Sequence, residues 1–113
     1  MSGISTHILD TAKGLPARGV PVALERQSGA EGIWAPAGKG ITDTNGRVPQ
    51  LLPSGCVLLE GVYRLTFRVN EYYHELDSFY SEIVVVIQVR DPSTHHHVPL
   101  LLSPYGYTTY RGS

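Results

Sequence analysis

The chain has 113 residues, 42% hydrophobic and 17% charged, with a formal net charge of -1. That is the length of one domain with a modest core, and the composition excludes a disordered chain. The near-neutral charge provides neither a basic field for nucleic acid nor an acidic tail. One cysteine, Cys56, leaves no partner for an intrachain disulfide. No apolar run approaches the roughly 18 residues of a membrane span.

In chain order, Met1-Ser2-Gly3-Ile4 leads straight into an extended run, Ile4 to Leu9, so no signal peptide is expected. Thr11 to Pro16, with Lys13-Gly14, breaks that run. Val20 to Arg26 is β-rich but carries Pro21, which places it at a strand start or edge. Gln27 to Gly32 reads as a polar loop and Ile33 to Thr42 as a strand interrupted by glycine. Asp43-Thr44-Asn45-Gly46 has strong turn chemistry, because Asn-Gly readily accepts positive φ, and Arg47 follows at once.

Pro49 to Glu60 is irregular. Gly61 to Val69 alternates cleanly: Tyr63, Leu65, Phe67 and Val69 fall on one side, Val62, Arg64, Thr66 and Arg68 on the other. The spacing predicts one short helix over Asn70 to Ser78. Glu82 to Val89 (EIVVVIQV) reads as a well-buried strand. After the Asp91-Pro92-Ser93 turn, His95 to Leu102 is extended, Ser103-Pro104 turns the chain, and Tyr105 to Arg111 completes a hairpin. Seven or eight short strands with frequent turn signals predict an all-β sandwich in a single domain, 1–113, with no repeat or linker.

Four of the five histidines lie on predicted strands: His7 and the run His95-His96-His97. Alternate side chains share a face. His7 therefore groups with Ser5 and Leu9, and His95 with His97, Pro99 and Leu101; His96 faces the other way with Val98, Leu100 and Leu102. Thr108 and Tyr110 share a face of the last strand. Which faces meet is not decided by periodicity. Histidine suits proton transfer near neutral pH, and a guanidinium fixed behind a tight turn suits an anionic or carbonyl-rich ligand. A lone strand histidine is more often structural, however, and an arginine after a turn is more often solvated. His95 and His97 point the same way and offer two zinc ligands, with His7 as a third only if the strands adjoin; Cys56 and His74 have no helpful spacing. No Gly-x-Ser-x-Gly elbow or phosphate-binding glycine motif is present. On residues alone, an all-β interaction domain with idle histidines is the favoured description.

Several segments together carry a resemblance. His97-Val98-Pro99-Leu100-Leu101-Leu102-Ser103-Pro104 and the ending Tyr110-Arg111-Gly112-Ser113 resemble the signature of the 5-hydroxyisourate hydrolases, the transthyretin-related proteins. Ser5-Thr6-His7-Ile8-Leu9-Asp10 is similar to the family's other signature, and Thr42 to Arg47 to its central turn. Gly61 to Leu65 and Phe79-Tyr80 also fit, so the likeness spans the chain in order. Two positions depart: His96 replaces a usual tyrosine, on the face away from the other two histidines, and Ser81 stands where proline is common.

The resemblance implies a two-sheet, eight-stranded β-sandwich with one short helix, assembled as a homotetramer, a dimer of dimers. It implies clefts lined by His7, Arg47, His97 and Tyr110, with the tail to Ser113 helping to bind substrate at the rim. The implied reaction is hydrolysis of the ring amide of 5-hydroxyisourate to 2-oxo-4-hydroxy-4-carboxy-5-ureidoimidazoline in urate degradation. His7 or His97 would take a proton from water, the other would position water or protonate the leaving nitrogen, and Arg47 would hold substrate oxygens. No metal or organic cofactor, nucleic acid or membrane partner is expected. The expected compartment is the cytoplasm, with peroxisome and periplasm left open and no Ser-Lys-Leu-type ending. A transthyretin-like carrier and a zinc protein are the rival readings.

Overall fold

The computed structural model describes residues 2–74 and 78–113. Two sheets face each other across a shared apolar interior. The first contains β1 (Gly3–Asp10), β2 (Leu15–Pro16), β5 (Arg47–Val48), β8 (His95–Ser103) and β9 (Gly106–Thr109). The second runs β4 (Ile33–Ile41), β3 (Pro21–Ser28), β6 (Gly61–Phe67), β7 (Ile83–Val89). One helix, α1 (Val69–Tyr73), follows β6. This is the expected all-β sandwich with one short helix. Among the described residues, seven strands of four or more residues carry it, joined by the two-residue segments β2 and β5.

Period-two patterning explains the two faces. On β1, Ile4, Thr6, Ile8 and Asp10 point inward and are almost fully buried. On β8, His96, Val98, Leu100 and Leu102 do the same. They pack against Val22, Leu24, Tyr63, Leu65, Phe67 and Ile83 of the opposite sheet. Burying each such apolar side chain contributes roughly 1.5–3 kcal/mol. The inward polar groups of β1 and β8 are satisfied. Thr6 Oγ1 donates to the Val98 carbonyl at 2.6 Å. Asp10 accepts from the N–H groups of Ala12 and Lys13 and from the Tyr72 hydroxyl, at 3.1, 3.0 and 2.7 Å. The His96 ring meets the Thr94 carbonyl at 3.1 Å.

β1 and β8 pair in parallel, with Ser5 opposite His97 and His7 opposite Pro99. On its other edge, β1 meets β5 antiparallel, with His7 opposite Arg47. β9 closes the far side of β8, with Leu101 opposite Thr108. Pro21 opens β3, as its missing N–H requires, and Pro36 sits on the outer strand β4 beside the irregularity after Leu24.

Two expectations are corrected. The sequence predicts a well-buried strand over Glu82 to Val89. In the structure β7 is an edge strand, and Val84 and Val86 are 43% and 58% exposed. Ile83, Val85, Ile87 and Val89 make its inner row; an unbroken apolar run does not show which row faces outward. The helix runs Val69–Tyr73, with Val69 and Tyr73 buried, and ends at His74, whose φ of +51° is not helical; it therefore starts one residue before the expected Asn70 and stops short of Ser78, and 75–77 lie outside the described residues. Among the described residues, no helix is long and apolar enough to cross a membrane.

The turn before Arg47 is held tightly. Gly46 has φ +74°, and a Cβ there would stand 2.4 Å from the Ile8 carbonyl oxygen. Gly46→Ala should therefore destabilise the fold by roughly 1–3 kcal/mol, read as a lower denaturant midpoint at unchanged m-value.

Candidate active site

The outer face of β1 and β8 carries the chemistry. Ser5 and His7 project from β1, and His95 and His97 from β8, on the side away from the core. The parallel register sets Ser5 directly across from His97. Ser5 Oγ lies 2.7 Å from His95 Nε2 and 2.8 Å from His97 Nδ1. One hydroxyl thus links the two imidazoles.

Arg47 arrives from the other edge of β1. Asp43 builds its turn: the Asp43 carboxylate accepts from the N–H groups of Asn45 and Arg47 at 2.9 and 3.0 Å. The Asp43 and Gly46 backbones close it further, through Asp43 N–H to the Arg47 carbonyl and Gly46 N–H to the Asp43 carbonyl, both 2.9 Å. The Arg47 N–H is the main cause that holds the Asp43 carboxyl below the usual carboxylate range. The Arg47 backbone is therefore rigid where it enters the site.

The C-terminal tail forms the third wall. Gly112 N–H donates to the His97 carbonyl at 2.9 Å, continuing the β8–β9 ladder in register. A Cβ at Gly112 would stand 2.5 Å from His97 Cδ2, so the imidazole lies directly over this glycine. Any larger residue there would displace the ring.

These elements enclose a cleft of about 680 Å³ lined by Ser5, Arg47, His95, His97, Arg111 and Ser113, among others. Of the residues expected from the sequence, Arg47, His97 and Ser113 line it. His7 does not; it stands beside the cleft on the same face, near enough for its charge to act on both His97 and Asp43. Tyr110, 55% exposed, lines a neighbouring hollow of about 360 Å³ with Val85 to Gln88 of β7, a hollow that also touches His97 and Arg111. Ser5 was given no role from the sequence; His95 entered there only as a zinc ligand, and Arg111 and Gly112 only as part of the tail at the rim. The parity of Ser5 with His7 was visible there, but not the strand it would face.

His97 is held below the ordinary histidine range, first by lost solvation, then by the Arg47, His7 and His95 charges. His95 is shifted the same way, mainly by lost solvation. Neutral imidazoles beside a guanidinium and a hydroxyl can accept a proton from water while a nearby cation holds an oxygen. Among the described residues, no three His, Cys, Asp or Glu side chains are grouped to hold a metal ion.

Residues 4–112 match the sequence profile of the HIUase/Transthyretin family. The chain belongs to this family. Curated relatives include the 5-hydroxyisourate hydrolase of Salmonella typhimurium, 43% identical over 97% of this chain and 80% of that protein. The Mus musculus 5-hydroxyisourate hydrolase is 41% identical over 99% and 96%. Among solved structures, Klebsiella pneumoniae 5-hydroxyisourate hydrolase superposes with a TM-score of 0.85, 32% identity and full coverage of both chains. Sea bream transthyretin in complex with thyroxine gives 0.86 at 30% identity, covering 96% and 93%. The HIUase/Transthyretin fold thus accommodates both a hydrolase and a thyroxine complex, and the cleft side chains must separate the two.

The sign of the His97 shift makes a prediction. The unfolded chain binds a proton at this histidine near its ordinary value of 6.5, and the folded chain resists it. The stability tied to His97 is thus complete above that value and is lost as pH falls below it. In an NMR titration, His97 should titrate below 6.5, and Arg47→Gln should move it upward without restoring the ordinary value, because lost solvation is the larger cause.

Proposed function

We propose that this chain hydrolyses the ring amide of 5-hydroxyisourate, giving 2-oxo-4-hydroxy-4-carboxy-5-ureidoimidazoline, with His97 as general base and Arg47 as the oxygen-holding cation. The observation that carries the proposal is the convergence of His97 and Arg47 in one cleft whose surroundings keep the imidazole neutral. The names of the full-length relatives in bacteria and animals support the same activity. A cleft lined by ionisable groups suits proton transfer to a polar heterocycle better than carriage of an apolar hormone.

His97 Nδ1 is engaged by Ser5, which leaves Nε2 to take the proton from water as the water attacks the carbonyl carbon. Arg47 holds the oxygen on which negative charge develops and stabilises it. The C–N bond of the ring then breaks, and the proton on Nε2 passes to the leaving nitrogen. His7, beside the cleft, orients water or substrate. Ser113 binds substrate at the rim, and Tyr110 reaches it from the adjoining hollow.

Assembly belongs to the same proposal. Val84, Val86 and Tyr107 leave apolar surface uncovered on a single chain, and a homotetramer, a dimer of dimers, would bury it and narrow the clefts. A reducing cytoplasm suits a chain with one exposed cysteine, Cys56.

The test is an ultraviolet assay of freshly generated 5-hydroxyisourate. The wild-type protein should accelerate its decay. His97→Ala and Arg47→Ala, shown to fold and assemble, should each lose about 10²–10⁴ in kcat/KM. Full rates in both variants would overturn the assignment, and binding without turnover would favour a carrier.

A further inference from the structure

Ser5 is 6% exposed and has two ring nitrogens within hydrogen-bond distance, 2.7 Å to His95 and 2.8 Å to His97. A serine hydroxyl carries one proton, so it donates to one partner and accepts from the other. Two neutral histidines sharing one hydroxyl therefore form a chain with a direction. Either His97 Nδ1–H donates to Ser5 and Ser5 donates to His95 Nε2, or the whole chain is reversed.

We propose that Ser5 is a positioning residue that joins His97 to His95 in a directed hydrogen-bond chain, holding His97 in the tautomer with a bare Nε2. This rests on the hydrolase reading above and deepens it. The direction follows from the charges around His97. Arg47 approaches from β5, His7 from β1, Arg111 from the tail and His95 from its own strand. A lone pair facing the cleft is favoured beside the Arg47 guanidinium, and an N–H dipole pointed at it is not. The Nδ1 proton then belongs on the Ser5 side.

The same chain gives the positive charge somewhere to go. When His97 Nε2 takes a proton from water, its Nδ1 proton can move to Ser5 Oγ as the Ser5 proton moves to His95 Nε2. His97 is again neutral and His95 becomes the imidazolium. Arg47 acts on the His97 charge but is not among the causes acting on His95, which is also the more exposed ring. When His97 Nε2–H protonates the leaving ring nitrogen, the other two protons step back, from His95 Nε2 to Ser5 Oγ and from Ser5 to His97 Nδ1. The proton taken from water ends on that nitrogen, the water oxygen on the carbonyl carbon, and the chain is restored.

The experiment has two arms. Long-range ¹H–¹⁵N NMR of the wild-type protein above pH 7 should show neutral His97 protonated on Nδ1, and Ser5→Ala should shift the population toward Nε2–H. In the decay assay, Ser5→Ala should lower kcat about tenfold, the equivalent of one hydrogen bond, with KM changed less than about twofold. Ser5→Thr, which keeps the hydroxyl, should recover most of the rate, and His95→Ala should repeat the loss. Wild-type His97 protonated on Nε2, or full kcat in Ser5→Ala, would overturn the proposal. If Ser5→Ala fails to fold, the wild-type tautomer and the His95→Ala rate decide it. A wild-type protein that does not accelerate decay would sink the hydrolase reading alone, while the tautomer still decides the chain.

Discussion

The site depends on the parallel pairing of β1 with β8. This ladder joins residues 3–10 to residues 95–102, which are separated by most of the chain. It sets Ser5 against His97 and places His7 two pairs further along, on the same face. Its register is tightly specified, because slipping β1 by one residue would turn Ile4, Thr6 and Ile8 out of the core and Ser5 and His7 into it. The apolar packing that stabilises the sandwich and the polar row that forms the cleft are thus two faces of one constraint.

Around that ladder, each remaining group is positioned by short local contacts. The Asp43 carboxylate and Gly46 shape the turn that delivers Arg47. Gly112 lets the tail pass beneath the His97 ring. Neither needs a long-range network. Rigid edges of the sheet, finished by turns with defined hydrogen bonds, give the cleft its geometry while leaving it open to water. The same openness leaves the outer rows of β7 and β9 with uncovered apolar side chains, so the surface that would form an assembly adjoins the hollow that contains Tyr110.

Transthyretin-like neighbours show that the sandwich itself does not dictate chemistry. The character of this site is electrostatic. Two imidazoles are kept neutral by partial burial, one of them also by a guanidinium, and a single hydroxyl touches both. The shifts arise from the surroundings of the rings, not from the residue types, and so belong to the folded chain.

Local periodicity and turn chemistry determined a good deal. Alternation in GVYRLTF set the inner row Tyr63, Leu65 and Phe67, the Asn45-Gly46 pair set the turn before Arg47, and parity put His96 on the side opposite His95 and His97. These are legible because they depend on neighbours within a few residues. The outward row of β7 was not, since Val84 and Val86 are as apolar as their buried neighbours and only the missing strand beside them exposes them. Nor was the meeting of Ser5 with His95 and His97, or the placing of Tyr110 outside the Arg47 cleft. Those depend on which strand lies beside which and in what register, and such long-range pairing is selected by burial of the whole core rather than by any local run of residues.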